Sequence, residues 1–327
     1  MKHFLDLKNK KILSVLDTNA RQSNKQIAKK VGLSKDTVGY RIRKLEQQGI
    51  IKGYRAVIDF SKLGFTSYRV LFRLMNVNKI VLTELNTFFK RNTEIWGAGI
   101  LDGEWDFSFL YYSKSNKEFY DFLENFKSRW RPIIKEQLIS PIIKYQELER
   151  GYLSDHKNKI RDTRIFEEKR VDIDIIDYHL LKALTNNARS RLIDLAKEMH
   201  ISTMLVYQRI KKLEKNKIIL GYKAYIDILL LGRDYYGVKV NLLNYSEKEK
   251  ILSYLHLLPE ASAILYTIGG YDLEFDLEVL NTKDYYKIIN ELRDKFHTIL
   301  EIKKMGTIDY YLLNHFPTMF FEPKVSN

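Results

Sequence analysis

Apolar residues recur at helical spacing in three short stretches at the start of the chain. Leu5, Leu7, Ile12, Leu13 and Leu16 mark a first amphipathic helix, with Asp6 near its start and Asn19 at its end. A second helix is expected over 23–31, with Ile27, Ala28 and Val31 inward and Gly32 supplying a tight turn. The third opens at the N-cap residue Ser34, places Val38, Ile42 and Leu45 on one face, and stops at Gly49. Opposite that stripe stand Asp36, Tyr40, Arg43, Lys44 and Gln47, a polar, basic and aromatic surface. Three short helices joined by such a turn make a helix-turn-helix unit.

The pattern then changes. Strand-like runs at 68–77, 93–101, 105–112 and 133–145 alternate with helical ones at 79–90 and 116–126, in the order βαββαβ. The middle strands flank the turn Asp102-Gly103-Glu104. This order is that of a ferredoxin-like sheet.

Both patterns occur twice. Residues 5–64 align without a gap onto 173–232 at a shift of 168, with 24 identities in 60 positions. Asn19-Ala20-Arg21 falls on Asn187-Ala188-Arg189, and Gly53-Tyr54 on Gly221-Tyr222. A period of half the chain is a tandem duplication of a whole module, since solenoid repeats are far shorter. The second copy is expected to form helices near 174–185, 191–199 and 202–216, with His200 in the turn position of Gly32; histidine is among the non-glycine types that tolerate positive φ. The second βαββαβ run covers 235–243, 247–257, 261–268, 273–279, 283–296 and 299–312. The expected fold class is therefore α+β. Helix-turn-helix units at 1–60 and 171–228 are each followed by a ferredoxin-like domain, at 61–150 and 229–327, and a charged segment, 151–170, reads as an exposed linker.

Composition narrows the chemistry. A formal charge of +14 and a pI near 9.4 favour a polyanionic partner. With no cysteine there is no disulfide framework, thiolate metal site or thiol nucleophile. The start of the chain has no apolar signal region and no window suits a membrane helix, so a cytoplasmic protein without membrane association is expected. His3, His156, His179, His200, His256, His297 and His315 are scattered without metal-ligand spacing, and neither a nucleophile elbow nor a phosphate-cradling loop appears. No cofactor and no catalytic residue is expected.

The runs L-D-L-K-N-K-K-I-L-S-V-L from Leu5, N-A-R from Asn19, I-A-K-K-V-G-L-S from Ile27, R-I-R-K-L-E-Q-Q-G-I-I ending at Ile51 and G-Y-R-A-V-I-D from Gly53 resemble the Lrp/AsnC family of transcription regulators. So do N-N-A-R, L-A-K-E-M-H-I-S, Q-R-I-K-K-L-E-K and G-Y-K-A-Y-I-D in the second half. The resemblance implies helix-turn-helix units that bind double-stranded DNA and effector domains that pair through their sheets. Family members mostly carry one module, so two imply an intramolecular pseudo-dimer, with a dimer of chains as a further assembly.

For DNA, Ser34, Lys35, Asp36, Thr37 and Tyr40 lie where a groove-seated helix reads bases or fixes its start, with Arg41, Arg43 and Lys44 on phosphates. The second helix offers Thr203, Tyr207 and Gln208, backed by Arg209, Lys211 and Lys212. Gln208 suits bidentate pairing with adenine, while Met204 and Leu205 replace Asp36 and Thr37, which favours the first helix as the reader. A paired arrangement engages half-sites roughly 34 Å apart.

The turn Gly103-Glu104-Trp105-Asp106, echoed by Gly269-Gly270-Tyr271-Asp272, is similar to the family's effector-site turn, which implies an amino acid or related metabolite as modulator. As a plain hairpin it needs no ligand. Two alternatives stay open: a sequence-tolerant architectural DNA-binding protein, and a tetrapyrrole enzyme like the siroheme decarboxylases, which share this architecture. Those enzymes use His and Arg beside the sheet, whereas 67–145 has no histidine.

Overall fold

A computed structural model describes residues 5–154, 160–166 and 170–311, with backbone only for 308–311. His3, His156, His315, the remainder of the linker and 312–327 lie outside the described residues.

The helical units form by the punctuation written in the sequence. Helix α1 (Leu7–Thr18) starts where Asp6 accepts the Asn9 N–H at 2.7 Å, and α2 (Asn24–Val31) opens with a reciprocal Ser23–Gln26 capping box. Gly32, at φ 65°, turns the chain into α3 (Lys35–Gln47), capped by Ser34.

The strand after each unit did not stand out in the sequence. Among the described residues, strand β1 (Ile51–Ile58) has no partner in its own half. After it come β2 (Thr66–Leu74), α4 (Lys79–Arg91), β3 (Ile95–Gly103), β4 (Phe107–Ser113), α5 (Asn116–Trp130), β5 (Ile134–Leu148) and β6 (Ile160–Ile165). The second half supplies α6 (Ile175–Asn186), α7 (Leu192–Glu198), α8 (Thr203–Lys215) and β7 (Ile219–Ile226). His200 sits at φ 54°, so it does occupy the left-handed turn. Then follow β8 (Asp234–Leu242), α9 (Lys248–Leu255), β9 (Ala261–Thr267), β10 (Leu273–Val279), α10 (Thr282–Lys295) and β11 (Ile299–Tyr311).

Strands β1 and β7 pair with each other, antiparallel, Tyr54 opposite Ala224 and Ala56 opposite Tyr222. Each also grips the other copy's first helix. Ala20 N–H donates to the Tyr222 carbonyl and Ala188 N–H to the Tyr54 carbonyl, both at 2.8 Å. Arg21 covers the Tyr222 ring at 5.5 Å and Arg189 the Tyr54 ring at 4.9 Å. Asn19 and Asn187 hold these corners by accepting the Arg21 and Arg189 N–H at 3.0 Å. The repeated N-A-R and G-Y motifs are thus the two sides of one contact, made twice. Both helix-turn-helix units share a single hydrophobic core.

The remaining strands run β2-β4-β3-β11-β8-β10-β9-β5, and a β2–β5 pairing closes the ring. The first copy contributes β5-β2-β4-β3 and the second β11-β8-β10-β9, the same order in each. The halves join through β3–β11 and β5–β9, so their free edges satisfy one another. The helices bury the outward apolar faces: Phe89 of α4 and Phe126 of α5 pack on Phe72 and Phe109, and Leu252 of α9 and Leu292 of α10 on Phe275 and Leu277.

The segment read as an exposed linker is corrected in part. Residues 160–165 form β6, which pairs antiparallel with the end of β5. Asp162 is buried, and Arg161 and Arg164 are nearly so. Arg161 pairs with Asp17 of α1 and with Glu147 of β5, the latter at 2.9 Å; Arg164 meets Glu147 and Asp162, each at 3.2 Å. Charge density alone suggests solvation, and these carboxylate partners come from elements distant in sequence.

One glycine locks the seam between the halves. Gly103 adopts φ +133°, and a Cβ there would sit 2.4 Å from the Lys304 carbonyl oxygen on β11. Gly103→Ala should cost about 3 kcal/mol from clash and backbone strain, whereas Gly221→Ala, which meets none of the described residues within 4 Å, should cost under about 1 kcal/mol. Thermal and denaturant unfolding of the two variants checks this ordering.

Candidate nucleic-acid interface and central cavity

The outer face of α3 is open. Ser34, Lys35, Asp36, Tyr40, Arg43 and Lys44 are exposed, Tyr40 by 59%, and Thr37 is half-buried. Ser34 is engaged locally, its Oγ accepting the Thr37 N–H at 3.1 Å. Arg41 is turned inward: its guanidinium meets Asp6 at 2.6 Å and Asn9 at 3.0 Å, tying α3 to the start of α1. That hydrogen bond holds the Asp6 carboxyl below its ordinary value. Among the described residues Arg43 and Lys44 join no ion pair.

On α8, Thr203, Tyr207, Gln208, Lys211 and Lys212 are exposed, as is Met204, and Leu205 is half-buried. Arg209 repeats the role of Arg41, pairing with Asp174 and, at 3.4 Å, with Asp177. Lys211 meets Glu214 at 2.8 Å and Lys212 approaches Asp177 at 3.8 Å. The second helix therefore presents fewer uncommitted cations than the first.

The two glycine-containing turns meet each other. Tyr271 Oη donates to Glu104 Oε2 at 2.5 Å and accepts from Trp105 Nε1 at 3.2 Å, while Lys303 Nζ donates to Glu104 Oε1 at 2.5 Å. Burial, reinforced by the Glu104 bond, pushes the Tyr271 hydroxyl above its ordinary value. Asp106 accepts the Leu74 N–H at 2.7 Å and Asp272 the Leu242 N–H at 2.8 Å, each bracing the neighbouring strand. Gly269 accepts from Ser140 at 3.1 Å, and Gly270 lies against Leu138. Residues proposed as two effector sites thus come together as one contact between the halves, with protein groups already on both aspartates.

A feature absent from the sequence reading lies between the β1/β7 pair and the strand ring: a cavity of about 340 Å³. Lys52, Arg55, Lys223 and Tyr225 line it from the β1/β7 side, Arg69, Ser108, Lys239 and Asp276 from the ring. Arg150 and Arg164 stand at the junction with the linker. Burial pulls the Arg55 guanidinium down to about 10, opposed by nearby Tyr225, whose ring it covers at 4.1 Å. Arg69 and Lys239 both pair with the buried Glu274. Burial lowers the Lys239 pKa, and the Arg69 charge adds to that. Glu147 is likewise penalised by burial, yet Lys223, Arg161 and Arg164 hold it well below the carboxylate range. The only signal in the sequence was alternation: L-E-F-D-L-E-V in β10 reads as one buried and one wet face, and here all seven residues are buried.

A winged helix-turn-helix DNA-binding family matches residues 5–52 and 173–219. The regulatory protein AsnC of Haemophilus influenzae is 43% identical over 133 residues, 40% of this chain and 81% of that protein. The chain belongs to the Lrp/AsnC family. Its two matched sites make it a tandem member. The proline dehydrogenase transcriptional activator of Rhodobacter capsulatus is 33% identical over 108 residues, 33% of this chain and 70% of its own length. Among solved structures, the siroheme decarboxylase NirDL superposes with a TM-score of 0.66 over 96% of this chain and 95% of that one, at 12% identity. At that identity the likeness is one of fold. It extends the shared architecture of this Lrp/AsnC protein to its full length. No helix among the described residues is long and apolar enough to cross a membrane.

The cavity's acid response follows from Glu274. Burial raises its pKa, but Arg69 and Lys239 outweigh this and, with bonds from Lys239 and Thr267, hold it at about 2 against an ordinary 4.5. A carboxyl depressed on folding stabilises fully above about pH 4.5, and that contribution drains as pH falls towards 2. Glu274→Gln should lower stability at neutral pH and flatten its dependence between pH 4.5 and 2. Thermal unfolding of wild type and variant across that window measures it.

Proposed function

We propose that this chain is a sequence-specific DNA-binding transcription regulator whose two helix-turn-helix units act as a built-in pair on double-stranded DNA in the cytoplasm. The observation that carries this is the exposed polar, basic and aromatic face of α3, set in a family-matched unit and locked to its twin by β1 and β7. The relatives named as transcription regulators support it. Lys35, Asp36, Thr37 and Tyr40 would read bases and Arg43 and Lys44 hold phosphates. Arg41 and Arg209 act instead as braces within their units. The α8 face, with Thr203, Tyr207 and Gln208 beside an exposed Met204, takes the weaker part. Two ferredoxin-like sheets serve as the pairing platform, with an amino acid or related metabolite as modulator and a dimer of chains as a further assembly.

A second reading, a tetrapyrrole decarboxylase on the same fold, is favoured by the full-length likeness to NirDL and by the basic cavity. No described residue lining that cavity is a histidine. Tight binding and turnover of siroheme in a spectral titration would establish the enzyme reading over the regulator.

Selection of bound sites from random DNA should enrich one motif with wild type; no enriched motif would sink the sequence-specific reading in favour of architectural binding. Tyr40→Ala combined with Arg43→Ala should weaken binding to that motif by tenfold or more, from roughly 1–3 kcal/mol of lost base and phosphate contact. Arg41→Ala should instead lower unfolding stability by about 1 kcal/mol through loss of the Asp6 and Asn9 contacts. Mobility-shift titrations set beside unfolding curves separate the two effects.

A further inference from the structure

We infer that the cavity between the β1/β7 pair and the strand ring is a ligand site for a small ring-bearing carboxylate, and that its occupant braces both helix-turn-helix units against the ring. The inference deepens the regulatory reading by naming a ligand class and a place for it, and any effect on DNA rests on that reading.

Three features of the cavity select the ligand. The first is charge. Seven cationic side chains and four carboxylates line it. Counting the groups that form ion pairs with them just outside the lining (Asp17, Asp162, Glu274 and Arg161), cations still exceed carboxylates by one. An interior with surplus positive charge is costly unless an anion joins it. Arg69 is the sharpest instance: it is only 5% exposed, shares Glu274 with Lys239, and its Nε donates to no described acceptor. A carboxylate fits the guanidinium fork in a bidentate manner.

The second feature is shape. Trp96 and Tyr112 are stacked with centroids 5.3 Å apart and planes 18° from parallel, and both line the cavity with Tyr145 and Tyr225. Leu110, Ala263 and Leu265 give the ring side an apolar patch between charged groups. Flat aromatic walls around an apolar patch suit a planar ring. The third is size. A volume of about 340 Å³ lies at the low end of small-molecule sites, which run ~300–1,000 Å³, and suits one or two rings better than a macrocycle.

Placement supplies the consequence. Arg55, Lys223 and Tyr225 on one side belong to the strands that hold α1 and α6 through the Ala20 and Ala188 bonds. Arg69 and Lys239 on the other belong to the ring. A ligand touching both sides favours the arrangement in which they are seated, and so couples its binding to the position of the DNA-reading helices.

The test is calorimetric titration of the full chain with phenylpyruvate and indole-3-acetate, beside the neutral indole-3-acetamide, inorganic phosphate and siroheme. The expected result is saturable binding of a ring-bearing acid, at least tenfold tighter than the amide, weakened tenfold or more by Arg69→Gln. Ala263→Leu, which fills the cavity without touching its charges, should also abolish binding, and it carries the test if Arg69→Gln does not fold. Amide exchange in β1 and β7 should slow in the bound state, a readout that needs no DNA and so stands apart from the regulatory reading. The site assignment is overturned if no acid binds saturably, if acid and amide bind alike, if both variants bind as wild type does, or if only phosphate or siroheme binds. Unchanged exchange on binding overturns the bracing.

Discussion

A strand edge left open presents a row of unpaired N–H and C=O groups, and each half of this chain would carry several. Among the described residues, β1 and β7 have no partner within their own halves, and the outer edges of each four-stranded set have none there. Every one of these edges is met by the other half: β1 by β7, β3 by β11, β5 by β9. The satisfaction of backbone hydrogen bonds across the duplication is the constraint on which the rest depends. It fixes the helix-turn-helix pair, closes the ring, and creates an interior belonging to neither copy.

Closing the ring reverses the usual meaning of alternation. In an antiparallel sheet with one wet face, polar residues point to water. Here Arg69, Lys239, Glu274 and Asp276 point to an enclosed space, so each needs a countercharge or hydrogen bond within it. Partners arrive from far along the chain. Glu147 gathers Arg161, Arg164 and Lys223, and Glu278 takes both Arg150, at 2.9 and 3.1 Å, and the Tyr152 hydroxyl. Arg161, Asp162 and Arg164 of β6 are part of this interior, which is why these three charged residues are so little exposed.

Fusion also permits asymmetry that an exact homodimer cannot have, since any change there appears twice. Strands β2 and β8 have equal length at the shift of 168, yet Arg69 corresponds to Gly237 and Leu71 to Lys239. Asp17, which anchors two arginines of the linker region, corresponds to Thr185. Helices α3 and α8 diverge in the same way, with Asp36 and Thr37 against Met204 and Leu205. What stays alike is what makes the twofold contacts: Asn19 and Asn187, Arg21 and Arg189, Tyr54 and Tyr222.

The sequence by itself determined the local structure and the duplication. Caps at Asp6, Ser23, Ser34 and Ser202 act through neighbours three residues away, and the positive-φ turn at Gly32 is a property of one residue, so both are legible in a linear string. The exposed faces of α3 and α8 follow from helical periodicity for the same reason. Tertiary structure alone decided which groups remain available. Arg41 and Arg209 look like phosphate ligands on a helical wheel, but Asp6 and Asp174, 35 residues away in each case, claim them. The glycine-containing turns look like two sites until Tyr271 is seen to meet Glu104 and Trp105 from 166 or 167 residues away. The cavity has no local signature, because its walls come from strands of both copies and its charge balance depends on which carboxylates the fold brings beside which cations.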